Sequence, residues 1–138
     1  MFSYPLAYSI HFLSYDRFSS PDTPLSPVLC ELSVFDSDAN PIHPQDIDTS
    51  TLVANICVLA HSPTSPYTSY QDIVSGSFAA SPQFHRGRLL FSFSDLVFNV
   101  SGTFQLKVCV FNLADILDNH QTSTHHLCDA ATDLIEIT

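Results

Sequence analysis

Apolar and polar residues alternate along several stretches of the chain, which is the pattern of β-strands with one buried face. In residues 103–111 the apolar side chains fall on every second position, and residues 28–35 and 89–98 repeat this pattern. The residues expected to point inward are Val28, Cys30, Leu32, Val34, Phe91, Phe93, Phe104, Leu106, Val108 and Val110. The alternation therefore predicts three strands that each cover one side of a core.

A fourth run, residues 51–60, is apolar almost without interruption. Such a run is typical of a central strand that is buried on both faces, and we predict that role for it. Weaker patterns predict further strands at residues 8–14, 73–79 and 133–137. The chain is thus expected to contain about seven strands.

The segments between the predicted strands are rich in Pro, Asn, Asp and Ser, which are turn-forming residues. One short helix is predicted at residues 113–119, because Leu113, Ile116 and Leu117 share a face. No internal repeat divides the 138 residues. Many short strands separated by turns predict an all-β sandwich formed by one domain, residues 1–138.

The composition is sufficient for a hydrophobic core and predicts no membrane anchor. Hydrophobic residues make up 45% of the chain, yet no stretch approaches the ~18 apolar residues of a membrane span. Polar residues and Pro5 interrupt the first residues, so we expect no secretory signal and an intracellular protein. The four cysteines (Cys30, Cys57, Cys109 and Cys128) are expected to be free thiols, as is usual inside cells.

The charge of the chain is strongly acidic, with 14 acidic residues and a net charge of −10. The basic residues are Arg17, Arg86, Arg88 and Lys107. A net negative charge repels polyphosphate and anionic lipid, which opposes DNA and membrane binding. The three arginines are nevertheless the candidate DNA-binding residues, because loops of a sandwich can hold a phosphate backbone. The alternative is that they are solubilising residues of turns.

Two polar segments contain residue types that can bind metal ions. Residues 36–40 begin like a calcium loop, but Pro41 stands where the loop needs glycine and Ile47 where it needs glutamate. A solvated turn is the preferred interpretation. The weak candidates for a transition metal are His120, His125, His126 and Cys128. Their spacing matches no standard zinc pattern, so we predict a polar hairpin loop and no metal.

No arrangement typical of catalysis is present in the sequence. There is no Gly-x-Ser-x-Gly elbow to expose a nucleophile, and three scattered glycines cannot form a phosphate-binding loop. We therefore expect no enzymatic activity, no cofactor and no small-molecule substrate.

Residues 88–111, Arg-Leu-Leu-Phe-Ser-Phe-Ser-Asp-Leu-Val-Phe-Asn-Val-Ser-Gly-Thr-Phe-Gln-Leu-Lys-Val-Cys-Val-Phe, resemble the signature of the fungal velvet domain. That signature joins an aromatic-rich strand to a Gly-aromatic hairpin and a strand that ends in Phe. The matching positions are Phe91, Phe93, Asp95, Leu96, Gly102, Phe104, Leu106 and Phe111. Weaker similarity in the same order extends the resemblance from about residue 8 to the end.

The resemblance implies an immunoglobulin-like sandwich, akin to that of Rel-homology factors. It also implies a regulator of transcription, sporulation and secondary metabolism that is found in the nucleus and cytoplasm. Such proteins form homo- or heterodimers and bind DNA, so the implied partners are another velvet-type protein, a second copy, and DNA.

The chain departs from the family where the family contacts DNA. The loop that is basic in velvet domains contains Asp22 and no basic residue here, and Gln105 replaces an arginine. The family's C-terminal extension has no counterpart in the sequence. Two hypotheses follow. The first is a velvet-like regulator that dimerises and binds DNA, and the second is a divergent interaction module that pairs with another velvet-type protein through an exposed sheet face or edge without contacting DNA.

Overall fold

The computed structural model of the chain describes residues 6–63, 73–114 and 126–138, except for the side chains of residues 60–63. These ranges consist mainly of β-strands, with a 3-10 turn at Pro44–Asp46. The strands in chain order are β1 (Ala7–Ser14), β2 (Phe18–Ser19), β3 (Val28–Phe35), β4 (Pro41–Ile42), β5 (Leu52–Pro63), β6 (Val74–Ser75), β7 (Ala79–Ala80), β8 (Gln83–His85), β9 (Arg88–Phe93), β10 (Val97–Phe98), β11 (Gly102–Asn112), β12 (Cys128–Ala131) and β13 (Ile135–Ile137).

Two large sheets form the sandwich, and β6 and β10 pair in a separate two-stranded sheet. Sheet I has the order β1-β3-β9-β8, with β4 paired to β3, and sheet II has the order β2-β13-β11-β5-β7, with β12 paired to β11. If β1, β3, β5, β8, β9, β11 and β13 are lettered A to G, the sheets read A-B-E-D and G-F-C. This is the strand order of an immunoglobulin constant-type sandwich. The predicted all-β, immunoglobulin-like sandwich is confirmed.

The core lies between the two sheets and contains the inward residues that the alternation predicts. Sheet I contributes the buried side chains of β3 and β9, and sheet II contributes those of β11. Phe104 of β11 stacks on Phe98 of β10, with 4.8 Å between the ring centroids. Buried aromatic area of this kind is a large part of the hydrophobic stabilisation of a small domain.

The long apolar run of residues 51–60 differs from its prediction. It forms the first part of β5, a central strand of sheet II, but only one of its faces is in the core. Leu52, Ala54 and Ile56 are buried, whereas Leu59 on the other face is 41% exposed. The sequence of the strand is typical of burial on both sides, whereas the described residues cover one side.

Other predictions concern shorter elements. The weak patterns at residues 8–14, 73–79 and 133–137 correspond to β1, to β6 and β7, and to β13. The short strands β2, β4, β8 and β12 were not predicted, because two to four residues carry too little periodicity to be recognised. The single strand predicted at residues 89–98 is divided into β9 and β10, which belong to different sheets. Of the helix predicted at residues 113–119, only Leu113 and Ala114 are described, and both have helical backbone. Residues 115–119 lie outside the described part.

A tight crossing fixes the position of β6 against the start of β10. Gly76 has a positive φ of 128°, and a Cβ atom there would lie 2.4 Å from the backbone oxygen of Asp95. The Asp95 carboxylate accepts hydrogen bonds from the backbone N–H and the hydroxyl of Ser77, at 2.9 and 2.8 Å. The chain can pass this point only because residue 76 has no side chain.

We expect Gly76→Ala to lower the free energy of unfolding by at least about 2 kcal/mol, because it adds both a steric clash and backbone strain. Urea denaturation measures the loss. Gly87→Ala is the matched control, since Gly87 also has a positive φ (78°) but its Cβ would have its nearest neighbour at 3.7 Å. The control should lose about 1 kcal/mol. Equal losses in both variants would contradict the close crossing.

Candidate functional site

Arg88 is held in an ion-pair cluster on the outer face of sheet I. Its guanidinium donates two hydrogen bonds to the carboxylate of Glu31, at 2.9 and 2.8 Å. The same carboxylate lies 3.2 Å from Nε2 of His11. The hydrogen bond from Arg88 is the main reason that the pKa of Glu31 is lowered, and it raises the pKa of Arg88. Arg88 is therefore already neutralised by this chain.

Arg86 lies at the tip of the β8–β9 hairpin. The paired residues His85 and Arg88 enclose a two-residue turn, Arg86-Gly87, in which both residues have positive φ angles of 53° and 78°. This is the type I′ turn that matches the twist of the flanking strands. Arg86 has no ion pair within the described residues. Of the three candidate arginines, it is the one whose charge remains available.

Arg17 belongs to the connection between β1 and β2. Its guanidinium lies 3.2 Å from the carboxylate of Asp133, and both side chains are exposed. Its backbone oxygen accepts a hydrogen bond from Glu136, which anchors β2 to sheet II. The side-chain pair is of the exposed kind that contributes less than about 1 kcal/mol.

The structure does not bring the three arginines together. Arg86 and Arg88 lie at the end of sheet I where Leu89 pairs with Leu32. Arg17 follows Ser14, which pairs with Leu29. Leu29 and Leu32 are three residues, or about 10 Å, apart along β3. Arg17 lies beyond Leu29 in one direction, and Arg86 and Arg88 lie beyond Leu32 in the other. They therefore belong to opposite ends of the sandwich.

The histidine-rich segment is only partly described. His120 and His125 lie outside the described residues. His126 contacts the carboxylate of Asp129 at 2.5 Å and packs edge-on against Phe111. Burial raises the pKa of the Cys128 thiol to about 12, which disfavours the thiolate that binds metals. Among the described residues no three potential ligands are grouped to hold a metal ion.

The four cysteines form no disulfide bond. All four cysteines are free thiols, as predicted. Cys30 is buried in the core on β3, and burial raises its pKa to about 12. Cys57 and Cys109 lie on adjacent strands of sheet II, on the face away from the core.

The outer face of sheet II carries exposed apolar side chains beside a few polar contacts, which include those of Gln105 with the backbone oxygen of Thr132 and of Asp129 with His126. Its residues are Val53, Asn55, Cys57 and Leu59 on β5, Thr103, Gln105, Lys107, Cys109 and Phe111 on β11, and Asp129, Ala131, Leu134, Glu136 and Phe18 on or beside β12, β13 and β2. Phe18 is 71% exposed and Leu134 is 51% exposed. This set is called the outer face below.

The outer face has a defined arrangement because the register of sheet II is continuous. Gln105 of β11 is opposite Leu59, and Lys107 is opposite Cys57 on one side and Ala131 on the other. Phe18 is opposite Glu136 at the edge formed by β2. Apolar side chains thus occupy both ends of the face, and Lys107 is the cation near its middle.

The sequence predicts pairing through an exposed sheet face or edge, but it does not identify the residues of the outer face. The continuous apolar run of residues 51–60 is the signal that could have indicated it, since that pattern requires a second covered side. Phe18 and Leu134 gave no comparable signal, because their exposure depends on the parallel pairing of β2 with β13, which are 116 or more residues apart in the sequence.

Comparison with known proteins identified no relationship, since no family model and no curated protein sequence matches the chain. Within the described residues no helix is long and apolar enough to cross a membrane.

The Glu31–Arg88 pair should make the free energy of unfolding depend on pH. Because the folded-state pKa of Glu31 is lowered from 4.5, the pair stabilises the fold above that value. The stabilisation is lost as the pH falls through the lower, folded-state pKa. We expect Glu31→Gln to reduce the free energy of unfolding by about 1 kcal/mol at pH 7, and by much less near pH 3.

Urea denaturation of wild type and Glu31→Gln at the two pH values measures this difference. Glu136→Gln is the control, because Glu136 is exposed and has no ion pair among the described residues. A Glu31→Gln loss that persists unchanged at pH 3 would assign the effect to packing and not to charge.

Proposed function

We propose that this chain is an interaction module of a velvet-like regulator, which pairs with another protein through the outer face. The observation that carries the proposal is β5, whose outward side holds Val53, Cys57 and Leu59 with one polar residue, Asn55, while the described residues bury its other side. Leu59 and Phe18 are exposed apolar side chains of this face, and a second surface that covers them would remove them from water. The proposal gives the chain no catalytic role.

The size of the outer face supports this proposal. Strand β11 has 11 residues and is about 37 Å long, and sheet II is four strands, or about 19 Å, wide at each end. The face therefore spans about 700 Å², close to the roughly 800 Å² that each partner buries in a standard protein interface.

The velvet-like character rests on residues 88–111. The positions that carry the resemblance include the buried residues Phe91, Phe93, Leu96, Phe104 and Leu106. An immunoglobulin-like sandwich is the fold that the resemblance implies. A dimerising regulator of the nucleus and cytoplasm, acting in fungal development, is the function we propose on this basis, with a velvet-type domain as the partner.

We expect the Phe18→Ser/Leu59→Ser variant to lose at least tenfold in affinity for its partner, because two exposed apolar side chains would no longer be buried on binding. The partner is captured from fungal extract on wild-type protein, identified by mass spectrometry, purified, and titrated by calorimetry. The proposal requires a 1:1 complex with a protein that contains a velvet-type domain.

The matched control is Leu13→Ser/Phe84→Ser, which removes two exposed apolar side chains from sheet I. This variant should bind as wild type does. If the two double variants bind equally well, the outer face is not the binding surface. If wild type captures no velvet-type protein, the proposed function is wrong.

DNA binding is the second candidate function, and the unpaired Arg86 is the observation that favours it. Two of the three candidate arginines are neutralised by carboxylates, and useful affinity generally takes about six or more phosphate contacts. We therefore expect no shift of a duplex of about 20 base pairs at about 50 mM salt. A shift that weakens steeply with salt and disappears in Arg86→Ala would make DNA binding the first candidate.

A further inference from the structure

Lys107 occupies the centre of the outer face. It is the sixth of the 11 residues of β11, an inner strand of sheet II. It is also the one lysine of the sequence. Its neighbours across the sheet are Cys57 and Ala131, and no carboxylate among the described residues forms an ion pair with it. The ammonium group is thus an unmatched charge within a weakly polar surface.

The negative charges of the outer face lie nearer its edges. Asp129 is on β12, which is an edge strand where it pairs with β11. Glu136 is on β13, with only β2 beyond it. Both residues are exposed. The pattern is therefore a central cation with acidic residues toward the rim, of which Asp129 also contacts Nε2 of His126.

This pattern is unfavourable for pairing with a second copy of the chain. In a two-fold symmetric dimer, residues near the axis contact their own counterparts. Two Lys107 ammonium groups would then meet at the centre, where docking removes the water that screens them. Each copy also brings a net charge of −10, so the approach of two copies is repulsive.

We propose, building on the function proposed above, that the occupant of the outer face is a different protein with the inverse charge pattern. Its docking surface presents a carboxylate to Lys107 and basic side chains to Asp129 and Glu136, around apolar contacts. The Lys107 pair then becomes a buried, hydrogen-bonded ion pair, which gives specificity because any partner without the carboxylate leaves a desolvated ammonium group.

Copies of this chain with altered charge serve as defined probes of the pattern. The reversed copy carries Lys107→Glu, Asp129→Lys and Glu136→Lys, and so presents the inverse pattern on the same backbone. Sedimentation velocity then measures association of wild type alone, of the reversed copy alone, and of an equimolar mixture. We expect the mixture to associate at least tenfold more tightly than either protein alone, and wild type alone to remain monomeric at about 100 μM.

The control probe carries Arg86→Glu, which reverses a charge on the hairpin of sheet I and should not increase association with wild type. In the mixture with the reversed copy, replacing the wild-type component by its Lys107→Arg variant should preserve the complex, and Lys107→Gln should weaken it. Circular dichroism and urea denaturation establish that each copy is folded.

Two results would overturn the inference. The first is a wild-type homodimer that Leu59→Ser disrupts, because it would show that a second copy occupies the outer face. That result would still support the proposed function, since the outer face would remain the docking surface. The other is a mixture that associates no more tightly than its components, which would remove the charge pattern as a determinant of pairing. The capture experiment with Phe18→Ser/Leu59→Ser tests the proposed function independently of these two results.

Discussion

The pairing of β5 with β11 is the interaction on which the rest of the fold depends. The two strands pair from Gly102 opposite Pro63 to Asn112 opposite Leu52, with one irregularity after Thr103. Because side chains alternate between the two faces of a strand, a slip of one residue would move Leu106, Val108 and Val110 out of the core. The same register decides which residues form the outer face, so the core and the candidate binding surface are set by a single set of backbone hydrogen bonds.

The outward-facing charges of the two sheets differ in whether they have ion-pair partners. On sheet I, Glu31 accepts hydrogen bonds from Arg88 and lies beside His11, so the charges in the middle of that face satisfy one another. On sheet II, Lys107 has no ion-pair partner among the described residues, and its direct neighbours across the sheet are Cys57 and Ala131. An internally satisfied surface gains little from docking, whereas an unsatisfied, partly apolar one gains both burial and a charge partner. This contrast favours sheet II as the interacting side.

Period-two alternation was sufficient to predict β3, β9 and β11 together with their inward residues, because each strand has one covered and one open face. The same reasoning could not position Arg17 relative to Arg86, since their separation follows from the register of β1 and β9 on β3. It also could not show that Glu31 neutralises Arg88, 57 residues away in the sequence. Contacts between distant segments, and strands of two or three residues, depend on tertiary pairing, which leaves no local period.

The apolar run of β5 shows how sequence and structure together carry more than either alone. The nearly continuous apolar pattern of residues 51–60 predicts burial of both sides of the strand, and the described residues bury one side. The resemblance to velvet domains concerns mainly buried positions such as Phe91 and Phe104, which determine how the sandwich packs. A sandwich of this kind serves many functions, so the specificity of the chain must come from surface residues outside those positions. Lys107 lies between two of them, Leu106 and Phe111, yet points to the opposite side from Leu106, where a partner can contact it.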